Sequence, residues 1–257
     1  MAKKIQIIKT AMMKRYIIKF LIRLAIFVAV FVAYITHKEI LYRFMTYDVS
    51  FGLSKYGVMP LHLLWLLFMI MMISHLFPNK TLSMALKKNK EEHYSEVEGY
   101  SEHELLKFVQ NQNVKAWTVM LIWLCFNAVW GFLYLFGVID NADLLMITVF
   151  YFLCDYICIL FFCPFQTYIM KNKCCVNCRI YDWGHFMMFT PMLFIKNFFS
   201  WSLFFTSLVV LIHWEIVYAK YPQRFWSESN QTLQCNHCKD KTCQMKKALS
   251  GRTNAKA

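Results

Sequence analysis

The stretch FMMFTPMLFIKNFFSWSLFFTSLVVLIHWEIVY, residues 186–218, decides the fold. Its 33 residues exceed the roughly 20 that carry a helix across a hydrocarbon core about 30 Å thick. Pro191 and the pair Lys196-Asn197 interrupt it. One reading is a single long crossing. The other is a hairpin: a short leg over 183–195, a break at Lys196-Asn197, and a full crossing over 198–218. At 1.5 Å per residue the short leg reaches only about 20 Å, so it has to tilt or re-enter.

Charge separates the two, because cytoplasmic loops of membrane proteins collect Lys and Arg. The arm up to Arg23 holds seven, the 78–115 loop six, the 170–185 loop three and the tail beyond Tyr218 eight. The 37–56 loop holds three, the 138–143 loop none and the hairpin tip only Lys196. A hairpin therefore puts 24 cationic residues inside against 4 outside. A single crossing moves the tail and gives 16 or 17 against 11. The sharper split predicts six membrane legs with both termini cytoplasmic.

Outward from this stretch, four further apolar runs have spanning length: 17–36, 57–77, 116–137 and 144–163. The fold class expected is therefore all-α, a polytopic transmembrane helical bundle of five full spans plus one short or re-entrant leg. Residues 1–218 form the transmembrane domain, with a polar loop at 78–115. Residues 219–257 form a basic, Cys-rich cytoplasmic tail that docks on the 170–185 loop. The first run reads as a span and not as a cleaved leader, since no small-residue cleavage site follows it and Lys38 and Arg43 come at once. Lys19 and Arg23, in its first turns, are expected to reach for the interface. In the 78–115 loop, Ser101-Glu102-His103-Glu104 before Leu105-Leu106 reads as a capped surface helix.

Composition agrees. Among 257 residues, 58% are hydrophobic and only 17% are charged, against about 25% charged in soluble domains. The net charge of +13 is spread over membrane flanks, so it gives no footprint for nucleic acid. No phosphate-binding glycine loop, metalloprotease helix or serine elbow is present. Asn79-Lys80-Thr81 and Asn230-Gln231-Thr232 match the glycosylation pattern, but both fall on the side assigned to the cytoplasm.

Six of the ten Cys lie in two polar clusters: Cys174, Cys175 and Cys178, then Cys235, Cys238 and Cys243. Each cluster holds a C-x2-C pair, Cys175/Cys178 and Cys235/Cys238. Two residues between thiolates let a tight turn aim both sulfurs at one ion, and two such pairs supply four ligands for zinc or an iron–sulfur cluster. The 56 residues between the pairs exceed zinc-ribbon spacing. Only a hairpin that returns the tail to the same face joins them. A reducing cytoplasm favours metal over disulfide. Cys174 and Cys243 are surplus thiols, Cys163 is an extra candidate, and His185 and His237 are neighbouring substitutes. Lys173, Arg179, Lys239 and Lys241 would offset thiolate charge. Cys125, Cys154 and Cys158 lie in predicted spans and read as small apolar residues.

Asp155 is the acid deepest in a predicted span, which makes it a functional candidate by default. Proton relay, ion coordination, pairing with a cation, and bonding to Asn127 are its alternatives. His62, His75 and His213 lie in or at the ends of spans. His75 and His213, on different helices near one boundary, would suit a haem or a quinone headgroup.

The leading expectation is a multi-pass protein of the cell membrane, with the Cys clusters on the cytoplasmic side. There it carries an iron–sulfur cluster or zinc and works in electron transfer with a quinone or a redox partner protein. A transporter or metal-handling permease, with the Cys clusters as loading sites and Asp155 on the path, is the second expectation. A scaffold stapled by structural zinc is the third.

Overall fold

The computed structural model describes residues 10–46, 60–77, 94–172, 174–175, 177–237 and 243–249. Among these every regular element is helical, and the one extended pairing is an isolated bridge between Glu96 and Asn230. Among the described residues four helices are long and apolar enough to cross a membrane: α1 (Ala11–Thr46), α3 (Glu102–Leu135), α4 (Asn141–Leu160) and α6 (Phe198–Lys220). α1 is interrupted at His37, whose φ and ψ of −141° and 47° are not helical. Between α1 and α3 stands α2 (Pro60–Leu76), 17 residues or about 25 Å long. It lies within the 57–77 expected, of which residues 57–59 lie outside the described ones.

Local chemistry sets the ends. Ser101 accepts from the Glu104 amide at 3.4 Å and starts α3, but that helix continues without a break to Leu135. The expected surface helix is the first part of the third span. Gly137, at φ +70°, turns the chain toward α4 in a conformation that side chains disfavour. Asp140 then accepts from the amides of Ala142 and Asp143, and Asp143 returns a carboxylate to the Asp140 amide. This reciprocal box satisfies donors that the helix cannot. Lys38 of α1 bridges Asp140 and Asp143 at 2.9 and 2.8 Å, fixing α1 beside α4 at this end.

The decisive stretch folds as a hairpin. Its short leg is a broken helix: a 3-10 turn at Tyr181–Trp183, α5 (Gly184–Phe189), and a second 3-10 turn at Thr190–Phe194 that contains Pro191. Asn197 caps α6 by accepting from the Phe199 amide at 2.9 Å. The legs run antiparallel, with Trp183 Nε1 donating to Glu215 at 2.6 Å and Trp201 Nε1 to the Leu193 carbonyl at 3.3 Å.

The leg sits at the centre of the bundle. Met188, Phe189, Met192 and Ile195 are fully enclosed with Phe68 and Met72 of α2, Val149 and Phe152 of α4, and Val210 and Trp214 of α6. Phe68 meets Phe152 and Phe189 edge-on, at ring-centre distances of 4.8 and 5.2 Å. On the outer faces, Ile35, Leu121 and Phe132 are at least 60% exposed. Apolar residues facing outward around an apolar core are what lipid, and not water, accommodates.

Beyond α6 the chain folds back over the bundle end. The Val97 amide donates to the Ser229 carbonyl at 3.1 Å, and Gln231 to Ser95 at 2.8 Å. Trp226 stacks on Phe108. Asn230 is 0% exposed, so this glycosylation pattern is inaccessible in the fold; Asn79 lies outside the described residues.

Candidate functional site

Residues Phe152, Asp155 and Tyr156 share one face of α4, as positions three and four apart do. Together they hold Arg23 of α1. Arg23 Nη1 donates to Asp155 Oδ2 and to the Phe152 carbonyl, both at 2.7 Å. Its guanidinium carbon lies 4.0 Å from the ring centres of both Phe152 and Tyr156. Nη2 turns to the Met71 sulfur of α2 at 3.8 Å. Arg23 is only 6% exposed, which corrects the expectation that it reaches the interface. Its planar fork gains more from the carboxylate, the carbonyl and two aromatic faces than from extension toward water.

Asp155 is paired with a cation, one of the alternatives weighed for it. Asn127 donates instead to the Trp123 carbonyl of its own helix at 2.9 Å. The other Asp155 oxygen faces Gly184, where a Cβ would stand 3.0 Å from Oδ1. Glycine lets the start of α5 approach the carboxylate.

Beside the ion pair opens a cavity of about 90 Å³, bordered by Tyr16 and Lys19 of α1, His75 of α2, and Tyr181, Asp182 and His185 of the short leg. Its volume admits a few waters or a solute of a few atoms. Tyr16 and Tyr181 share a hydroxyl contact of 3.2 Å. His75 Nε2 lies 3.5 Å from Asp182 Oδ1, and the rings of His75 and His185 are 4.8 Å apart. Those two atoms and His185 Nε2 are buried without a hydrogen-bond partner in the protein. His213 packs edge-on against Trp214, which also meets the ring of His75. His62 packs on Phe199.

The cysteine loop adjoins the cavity, because the Tyr181 amide donates to the Cys178 carbonyl at 3.2 Å. Cys175 donates to Gln166 Oε1 at 3.0 Å, and Lys246 of α7 (Cys243–Leu249) reaches both Cys175 Sγ and Gln166 Oε1 at 2.7 Å. Burial pushes the Cys175 thiol up to about 11, with Lys246 opposing, and the Cys178 thiol up to about 12. Cys174 packs against the cluster of Tyr16, Tyr156, Leu160 and Leu233, whereas Cys235 is exposed. Asn177 Nδ2 is 3.5 Å from the Leu233 carbonyl. Cys238, Lys173, Lys239 and Lys241 lie outside the described residues. Arg179 turns away from the thiols to Glu215. Among the described residues, no three His, Cys, Asp or Glu side chains stand together in a group fit to hold a metal ion.

Sequence reasoning missed Arg23, Asp182, Glu215 and Lys246 as participants. A usable signal was present for one of them: in a chain this poor in charge, a cation and an acid deep in different apolar runs have few partners except each other. The chain matches no family model, no curated protein and no solved structure with which it was compared.

Proposed function

We propose that this is a multi-pass carrier of the cell membrane, with both termini cytoplasmic, that takes a small polar or ionised solute through the cavity beside Asp155. The observation that carries this reading is the Arg23–Asp155 pair opening on a polar space inside an apolar bundle. Enclosing two charges costs several kcal/mol of hydration each, and well-packed apolar side chains do the structural task as well or better. Ionised groups retained at membrane depth mark solute or proton paths more often than mere supports.

The test is uptake by the full chain in proteoliposomes, with inorganic phosphate, chloride, glycine and zinc ion as probes. One probe is expected to enter faster than in protein-free vesicles, and Asp155→Asn is expected to abolish that gain while the helical content stays unchanged. If none of these probes enters faster, the carrier reading falls.

A second reading is favoured by one specific observation. The Lys246–Cys175 and Asn177–Leu233 contacts return the tail to the cysteine loop, as a centre shared between Cys174, Cys175, Cys178 and Cys235, Cys238, Cys243 requires. Such a protein would carry an iron–sulfur cluster or zinc and pass electrons to a quinone or a partner protein. Anaerobic metal analysis separates the cases. Iron with sulfide and visible absorbance supports redox work, zinc alone supports a staple, and a metal-free folded chain removes this reading.

A further inference from the structure

We propose that His75, Asp182 and His185 form a proton-binding site that loads one proton into the cavity. Three facts of geometry carry it. His75 Nε2, Asp182 Oδ1 and His185 Nε2 are all buried and lack a hydrogen-bond partner in the protein. They come from two separate segments, α2 and the short leg, yet border one cavity. Asp182 is only 7% exposed, and a buried carboxylate oxygen left unbonded is costly. The His75–Asp182 distance of 3.5 Å is just beyond a hydrogen bond of about 2.9 Å.

A proton added to His75 makes both of its ring nitrogens donors and sets an imidazolium against Asp182 Oδ1 at 3.5 Å. Taken from cavity water at either imidazole, it forms an N–H bond; at His75 that N–H can then donate to Asp182 Oδ1. The charges facing the site are Lys19 and Arg23 from α1 and Asp155 from α4. The hydroxyls of Tyr16, Tyr156 and Tyr181 complete the titratable set. From α6 the site meets the uncharged ring of Trp214, because Glu215 is held by Arg179 and Trp183. With both imidazoles neutral, two cations balance two carboxylates, so one added proton gives the cavity one net positive charge. That is a state in which an anionic solute is drawn in and, after release of the proton, let go. Naming the proton as the ion coupled to transport rests on the carrier reading; its binding does not.

The test uses ¹⁵N-histidine spectra of the full chain in lipid nanodiscs, assigned with His75→Gln and His185→Gln. One of the two imidazoles is expected to change protonation between acidic and neutral pH. In Asp182→Asn the same change is expected to move or disappear, because the carboxylate facing the ring is gone. Two imidazoles that stay in one state across that range in the wild type would overturn the site. So would an Asp182→Asn protein, or a His75→Gln protein if the first does not fold, that titrates like the wild type. Flux of the transported probe should rise as the pH on the loading side falls. Titration of the pair in a chain that carries no probe upholds the proton site and defeats the carrier reading alone.

Discussion

Arg179 and Glu215, 36 positions apart, are joined by two parallel hydrogen bonds: Nη1 lies 2.7 Å from Oε1, and Nη2 bonds Oε2. Trp183 Nε1 donates to the same Oε1 at 2.6 Å, and the guanidinium lies 3.7 Å from the ring centre of Tyr218. The loop bearing Cys178 is thereby fastened to α6. Arg179→Ala should cost about 1–2 kcal/mol, a modest figure because Glu215 is partly exposed. It should also open the buried Cys178 to maleimide. Glu215→Gln, which keeps an acceptor for Trp183, should do less. Peptide mass spectrometry after labelling decides; equal Cys178 labelling in all three proteins would contradict the fastening.

Breaking the Arg23–Asp155 pair from one side should be worse than removing both partners. Arg23→Leu strands a carboxylate in the bundle, at about 3–5 kcal/mol. Adding Asp155→Leu should return most of that loss. Thermal unfolding of the single and double variants in one detergent gives the comparison, and additive losses would mean that the two residues do not interact.

At Gly131, α3 packs closely on Phe194 of the short leg. A Cβ there would lie 2.5 Å from Cε1 of Phe194, so the ring or the helix has to move. Gly131→Ala should destabilise by about 1–3 kcal/mol, as overpacking does. In a Phe194→Leu background the same change should cost little, and the melting temperatures of the four proteins measure the difference.

Cys175 and Cys178 are held protonated by burial, with thiols raised from 9.0 to about 11 and about 12. Both bind their protons more tightly in the folded chain. The stability they contribute is therefore complete below pH 9 and is lost as pH rises through 11 and then 12. Unfolding temperatures should decline over that alkaline window, and less steeply in Cys175→Ser/Cys178→Ser. At neutral pH iodoacetamide should modify the exposed Cys235 well before either. Lys246→Ala should slow Cys175 further, since it removes the cation that favours the thiolate.

Asn230→Ala should loosen the cap over the bundle end. The amide donates to the Arg224 carbonyl at 2.8 Å and accepts from Thr232 N and Oγ1 at 3.1 and 2.8 Å. Losing these in a fully enclosed place costs about 2–3 kcal/mol. Faster proteolysis near residues 94–100 and 222–234 is the expected readout.

The hairpin was legible because Lys196-Asn197 breaks an apolar run and Asn is a good helix cap; charge counts pointed the same way. The acid at 155 was legible for the same reason: a charge in an apolar run stands out. Its partner was not. Position near a helix start suggested that Arg23 reaches for water, and only the packing of α1 on α4 brings it to a residue 132 positions away. Asp182 fell just outside the expected short leg of 183–195 and His185 at its start beside the cysteines, and nothing local says that the two share a cavity with His75 of α2. α3 was split in two because its polar first turns and its apolar remainder differ in composition while the backbone continues unbroken.

The short leg has a consequence for how the protein is made. Its backbone changes between 3-10 and α geometry, and its bulk is covered by α2, α4 and α6. Irregular backbone is tolerated at membrane depth only where protein or water surrounds it. A nascent chain that has produced residues 181–195 but not yet 198–220 can set this segment against α2 and α4, yet lacks the face that Val210 and Trp214 of α6 supply. The enclosure of the short leg is therefore complete only when α6 is in place, which ties the folding of the two legs together.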